Sequence, residues 1–245
     1  MVENKIQDEK VLGDGEATML NEKNNTIKAV IFDCDGTLLD TENIYVSTWY
    51  SVCEEYGYEL PEKLIKETRG KSGTEAIKLF YNYLGEDFPL ERINEKRAIL
   101  NEEIFYNTPV EKILKPGVCR LFGWLEEQGI KIAVASGRRY EITSEHLKYA
   151  GLFDRVNIVI GRDLVKNNKP EPDMFIKAAE FMGVSCKECL VVGDTISDYK
   201  AAQAAGMRIA FVPDMFPADE EIAEGAFAVL KQIDQVIEVV GIKER

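Results

Sequence analysis

Short apolar runs alternate with amphipathic stretches through most of this chain. The run Ala29-Val30-Ile31-Phe32 is continuous rather than alternating, and similar runs occupy residues 131–135, 156–160, 189–192 and 208–212. Apolar runs of four to six residues bounded by turn residues read as strands buried on both faces. Helical patterns separate them: one ends near Glu127, and three cover 141–149, 174–182 and 198–205. Gly151, Gly183 and Gly206 follow those three as stop signals. Strand–helix alternation with such short connections predicts an α/β fold: a Rossmann-like parallel sheet core with helices on both faces.

One long segment breaks the alternation. From residue 43 to 109 no stretch reads as a strand. Ile44, Trp49, Val52 and Tyr56 recur at near-helical spacing, with Gly57 as a stop. Pro61 opens a second short helix, and 72–83 and 89–106 predict two more. Lys115-Pro116-Gly117-Val118 then punctuates a return to the βα pattern. The expected organisation is a core of 27–42 and 110–245 with a small helical cap, 43–109, inserted after the first strand. Residues 1–26 are polar and acidic, and are expected to form a mobile or loosely docked extension.

The polar residues at the strand ends carry the chemistry. Asp33-Cys34-Asp35-Gly36-Thr37 follows the first strand, Ser136-Gly137-Arg138 the second, and Gly193-Asp194-Thr195-Ile196-Ser197-Asp198 the fourth. Lys169-Pro170-Glu171-Pro172-Asp173 lies between the last two. Carboxylates on a buried strand are costly unless a cation or hydrogen bonds compensate them. The carboxyl ends of strands are where open α/β sheets bind ligands. The economical reading is a metal-dependent site in which one aspartate is a nucleophile and the other moves a proton. Taken singly, the motifs have plainer readings: an Asx-type turn for Asp33 and Asp35, helix N-caps for Ser136 and Asp198, a solvated loop lysine for Lys169. Four signatures in this order favour the chemical reading.

Composition narrows the partners. The formal net charge is −13 over 245 residues, which argues against nucleic acid, whose binding relies on Lys/Arg stripes. A small phosphorylated molecule stays compatible, because a metal and a lysine can invert the field of one cleft. No apolar stretch reaches the length of a membrane span, and the N-terminus has no apolar signal core. A cytoplasmic protein with no obligate protein partner is expected. The five scattered cysteines are expected to be reduced. Ser185 to Glu188 fits a capping box, a simpler reading of the Cys186–Cys189 neighbourhood than a metal or redox pair.

In these four motifs the chain resembles the haloacid dehalogenase superfamily, and more closely the beta-phosphoglucomutase-like phosphatases with a helical cap. The resemblance covers residues 27–240. It implies Asp33 as the nucleophile and Asp35 as general acid/base. It also implies Ser136, Gly137 and Lys169 as phosphoryl-binding groups. The implied cofactor is Mg2+, held by Asp33, the Asp35 carbonyl and Asp194, with Asp198 a ligand or a nearby supporting carboxylate. The implied function is a phosphatase for a small phosphorylated metabolite, a sugar phosphate among the candidates, working through an aspartyl-phosphate.

Two departures bear on the alternative, a hexose-phosphate mutase. The mutases carry a histidine where this chain has Tyr45, and a cap arginine where it has Gly73. Both favour hydrolysis. Asp35 argues against carbon–halogen hydrolysis, whose enzymes lack the second aspartate. Arg69 and Lys71 are the candidate substrate-reading residues of the cap. Asp40 is expected to cap the first cap helix. His146, the only histidine, is expected on a helix surface among charged neighbours.

Overall fold

The computed structural model describes residues 26–68, 73–215 and 217–241. The strands are β1 (Ala29–Phe32), β2 (Lys131–Ser136), β3 (Ile158–Gly161), β4 (Cys189–Gly193), β5 (Arg208–Phe211) and β6 (Ala228–Val229). They form one sheet in the order β3-β2-β1-β4-β5-β6, and every pairing is parallel. The sixth strand was not expected. Its two residues are too few to carry a periodic signal, and it gains its place by pairing with β5 at the sheet edge.

Because successive side chains alternate across a strand, each run feeds two cores. Val30, Phe32, Ile132, Val134, Leu190 and Val192 face one side. There they pack on Val118, Leu121, Phe122 and Leu125 of α6 (Val118–Glu127). Ala29, Ile31, Ala133, Ala135 and Val191 face the other. They meet Met174, Phe175, Ala178 and Ala179 of α8 (Asp173–Met182) and Ala201 and Ala202 of α9 (Ile196–Ala204). Burial on both faces explains why these strands read as unbroken apolar runs.

The insert after β1 is helical, as its periodicity predicts: α1 (Glu42–Glu55), α2 (Glu62–Thr68), α3 (Gly73–Leu84) and α4 (Leu90–Asn107), with the short α5 (Val110–Ile113) following it. It has a small apolar core of its own, with Val52, Cys53, Leu64, Phe80, Phe88 and Ile93. Trp49 stacks on Phe80 with ring centroids 4.3 Å apart. The roots of the insert belong to the main core instead: Ile44 near the start of α1 and Phe105 near the end of α4.

The two chain crossings are joined to each other. The Asp40 amide donates to the Ile113 carbonyl (2.7 Å) and the Lys115 amide to the Leu38 carbonyl (3.0 Å). Lys115 Nζ also reaches Asp40 (3.2 Å) and Asp214. This corrects the expectation for Asp40. The N-cap of α1 is Thr41, and the Asp40 carboxylate is drawn to Lys115 of the returning segment. The Ser185–Glu188 capping box is present, and all five cysteines are free thiols.

His146 also departs from expectation. It lies on α7 (Tyr140–Tyr149) but is only 1% exposed. Its ring stacks on Phe105 of α4 at 3.8 Å, and Nε2 sits 3.0 Å from a Glu102 carboxylate oxygen. The charged neighbours Glu145 and Lys148 pair with each other on the outer side of the helix. They suggested a solvated helix, whereas the inner side docks on the insert.

Candidate active site

The strand order reverses around β1. Its last residue, Phe32, pairs with Val134 of β2 on one side and Val192 of β4 on the other. A crevice at the carboxyl ends of strands, at such a switch point, is the standard ligand site of an open α/β sheet. Residues just past these strand ends are therefore brought together, although 157 positions separate Thr37 from Asp194.

Asp33 leaves β1 with its amide bonded to the Val192 carbonyl (2.8 Å). Asp33, Asp194 and Asp198 are all buried and offer carboxylate oxygens within 4.8 Å of one another. Lys169 Nζ enters this cluster. It pairs with Asp33 and lies 2.7 Å from Asp198 Oδ1 and 3.1 Å from the Ala135 carbonyl. The loop between Asp33 and Leu39 folds back on itself, and Gly36 makes that possible. Its φ is +82°, and a Cβ there would lie 2.6 Å from Asp194 Oδ2. Thr37 Oγ1 donates to Asp194 Oδ1 (2.9 Å).

One lysine does not neutralise three buried carboxylates. Burial pushes the Asp33 carboxyl up to about 7, with the Lys169 charge lowering it and Asp198 raising it again. Burial, then Asp33 and Asp198, hold Asp194 well above the usual carboxylate range. Lys169 shows the converse. Burial alone would lower it, but Asp198 and Asp33 keep it firmly protonated. A buried, oxygen-only donor set with surplus negative charge suits a hard divalent cation, so the residues present fit one.

Asp198 has a double attachment. It is the third residue of α9 in a capping box with Thr195, whose side chain accepts from the Asp198 amide. Asp198 Oδ2 accepts from the Thr195 amide (3.1 Å) and hydroxyl (2.6 Å). Its other oxygen takes Lys169. Gly193 leaves room for this turn, since a Cβ there would lie 2.6 Å from Asp198 Cβ. Asp198 is therefore not the N-cap itself.

Asp35 is held separately. Oδ1 accepts from Thr41 Oγ1 (2.7 Å) and Tyr45 Oη (2.9 Å), and Oδ2 from Arg138 Nε (2.8 Å). Burial would raise its carboxyl, but Arg138 and these hydroxyls outweigh that and hold it below the usual value. The Arg138 guanidinium also lies over the Tyr45 ring at 4.1 Å. Ser136 ends β2 fully buried, its Oγ accepting from the Arg138 amide (3.1 Å). Gly137 follows, 3.7 Å at its Cβ position from the Asn168 side chain. Asp33, Asp35, Ser136, Gly137, Lys169, Asp194 and Asp198 thus converge at one end of the sheet, whereas Arg69 and Lys71 lie outside the described residues.

The cradle around Asp35 went unread in the sequence. Arg138 stood inside a quoted motif, and Tyr45 was noted only as a missing histidine. Their pairing with Asp35 spans 103 and 10 positions respectively, which no local pattern encodes.

A parallel sheet whose switch point carries a buried acidic cluster defines an α/β protein with a candidate metal site, and comparison with known proteins specifies the family. Residues 30–212 match the model of the haloacid dehalogenase-like hydrolase family, and the chain belongs to that family. YhcW of Bacillus subtilis (strain 168) is 35% identical over 188 residues, covering 77% of this chain and 84% of that protein. A phosphorylated carbohydrates phosphatase of Thermotoga maritima is 27% identical over 219 residues, 87% of this chain and 98% of its own. The crystal structure of beta-phosphoglucomutase from Clostridium difficile superposes with a TM-score of 0.73 at 22% identity. That match covers 89% of this chain and 97% of that one, and shows a shared fold.

Proposed function

We propose that this chain is a magnesium-dependent phosphatase acting on a small phosphorylated metabolite through an aspartyl-phosphate on Asp33. The observation that carries this reading is the buried Asp33–Asp194–Asp198 cluster with Lys169 inside it, at the switch point of the sheet. Names of similar proteins support the substrate class: phosphorylated carbohydrates in one case, phosphoglycolate in another.

A phosphate monoester dianion repels anionic nucleophiles, so negative charge must first be offset. Asp33, Asp194 and the Asp35 carbonyl are the residues that would hold magnesium, which when bound offsets charge on the phosphoryl oxygens. Asp198 fixes Lys169 from the far side. Lys169, Ser136 and the Gly137 amide bind the phosphoryl group. Asp33 then attacks phosphorus as the bond to the leaving oxygen breaks. Asp35, a carboxylate while Arg138 grips it, takes up a proton as that contact gives way, supplies it to the leaving oxygen, and later takes one from the water that releases phosphate.

The helices of residues 43–109 act as a cap over this site, with Arg69 and Lys71 as its substrate-reading residues. Hydrolysis is favoured over mutase chemistry because Tyr45, not a histidine, contacts Asp35. A phenol, with an ordinary pKa of about 10, is a poor proton shuttle near neutrality. The free thiols suit a reducing cytoplasmic setting.

The test is a panel of phosphorylated metabolites assayed with magnesium for free phosphate, including beta-glucose 1-phosphate primed with its 1,6-bisphosphate. Phosphate release from panel members is expected. Glucose 6-phosphate formed with negligible free phosphate would replace the hydrolase reading with the mutase.

A further inference from the structure

Among the described residues of the insert, Arg97 is placed in a way that stability alone does not explain. It lies on the inner side of α4 and is only 8% exposed. Among the described residues no carboxylate pairs with it. Its guanidinium lies over the Trp49 ring at 3.5 Å. Nη1 donates to the Asn94 side chain (3.2 Å), and Nε is buried without a partner among the described residues. A buried cation lacking a counter-charge is expensive, and an apolar side chain of similar volume commonly serves the fold as well or better. Its burial is deep enough to bring the group down to about 9, with Cys53 opposing and Arg138 reinforcing that fall.

What Arg97 does hold is Tyr45. Nη2 donates to the Tyr45 carbonyl at 3.0 Å. Tyr45 stands in the first turn of α1, and its carbonyl also accepts from Thr48 Oγ1 (3.0 Å), so the Arg97 bond ties α4 to the turn that carries the Tyr45 side chain. The hydroxyl of that side chain reaches Asp35, and its ring carries the Arg138 guanidinium that grips the other Asp35 oxygen. A continuous line of contacts therefore runs from Arg97 on α4, through Tyr45 on α1, to both oxygens of Asp35 at the end of β1.

We infer that Arg97 is a remote positioning residue for catalysis: it holds Tyr45 in the register that orients the Asp35 carboxylate, so the insert sets the aim of the acid/base. This rests on Asp35 having the acid/base role proposed above. Arg97 touches no reacting atom. The Arg97–Tyr45 link costs the fold a buried charge and returns geometry at the site, a trade that functional positions often show. Small displacements of a positioned group are expensive in rate, and a displaced general acid is felt most when the leaving group is poor.

The experiment compares wild type with Arg97→Met, Tyr45→Phe and the double variant, using 4-nitrophenyl phosphate and phenyl phosphate with magnesium. The nitrophenolate departs with little help from an acid, whereas phenolate needs it. Arg97→Met is expected to keep or raise the thermal midpoint. It should lower kcat for phenyl phosphate about tenfold or more, a part of what general acid catalysis contributes, with a markedly smaller loss for 4-nitrophenyl phosphate. Tyr45→Phe should show the same substrate asymmetry. The double variant should lose no more than the worse single one, because the two residues act as one unit.

Equal losses on both substrates, or multiplicative losses in the double variant, would overturn the inference. So would a fall in thermal midpoint with no change in the substrate ratio. The ratio is independent of how much enzyme is folded, so a poorly folding variant still decides. Should Asp33→Asn retain turnover, the phosphatase mechanism itself fails. An inactive Asp33→Asn beside an unaltered substrate ratio in Arg97→Met would remove this inference alone.

Discussion

At the scale of single residues, the site is governed by how three buried carboxylates are offset. Lys169 is the only cation reaching Asp33 and Asp198 among the described residues. Replacing it by methionine leaves both without that partner, and losing one member of a buried ion pair costs about 3–5 kcal/mol. Lys169→Met is therefore expected to unfold at a lower temperature than wild type and to be raised more strongly by added magnesium. Thermal unfolding with and without magnesium checks this. The same magnesium shift in both proteins would mean that Lys169 does not share its task with a cation.

Gly36 provides a second test at this scale. Alanine there must adopt a φ of +82° and place Cβ 2.6 Å from Asp194 Oδ2. The backbone penalty alone is about 1 kcal/mol, and Asp194 must move as well. Gly36→Ala is expected to need more magnesium for half-maximal activity while the overall fold survives. Unchanged half-saturation by magnesium would show that Asp194 is free to shift without consequence.

At the scale of elements, the sheet was legible because strands buried on both faces leave long apolar runs. The edges were not. The predicted 156–160 strand begins at Ile158 because Phe153–Arg155 forms a short 3-10 turn first, and the two-residue β6 left no periodic trace. The acidic motifs were legible because each follows its strand directly. The contacts between elements were hidden. His146 reads as a surface residue from Glu145 and Lys148, yet its other side is covered by Phe105 and Glu102 of a helix 44 positions away. Asp40 looks like a helix cap until the returning segment brings Lys115 beside it.

That interface makes its own prediction. Phe105 is fully buried in the main core and contacts His146, Tyr106 and Tyr149. Truncating a buried phenylalanine costs about 3–5 kcal/mol. Phe105→Ala is expected to destabilise the whole molecule by that amount in denaturant unfolding, as one transition. A separate early transition, with the core unaffected, would show that α4 belongs wholly to the insert.

At the scale of the whole molecule, a parallel sheet gathers residues from distant parts of the chain, and the insert is rooted where it can reach Asp35. Its crossings are joined by Asp40, Ile113, Leu38 and Lys115, so movement of the insert must be taken up beyond them. Calcium prefers more ligands at longer distances than magnesium. It is expected to support little turnover while still binding, which competition between the two ions in a steady-state assay would reveal. Full activity with calcium would place the metal's role outside the geometry of this acidic cluster.

The most direct test of the central claim is phosphate release from 4-nitrophenyl phosphate by wild type and Asp33→Asn, each with magnesium or with excess chelator. An amide keeps the shape of Asp33 but is neither nucleophile nor anionic ligand. The expected result is turnover only for wild type with magnesium. Asp33→Asn should retain its fold by circular dichroism and be slower by about a thousandfold or more, as loss of a residue that acts as a unit with its partners entails. Activity of Asp33→Asn within about tenfold of wild type, or full wild-type activity in chelator, would contradict the account.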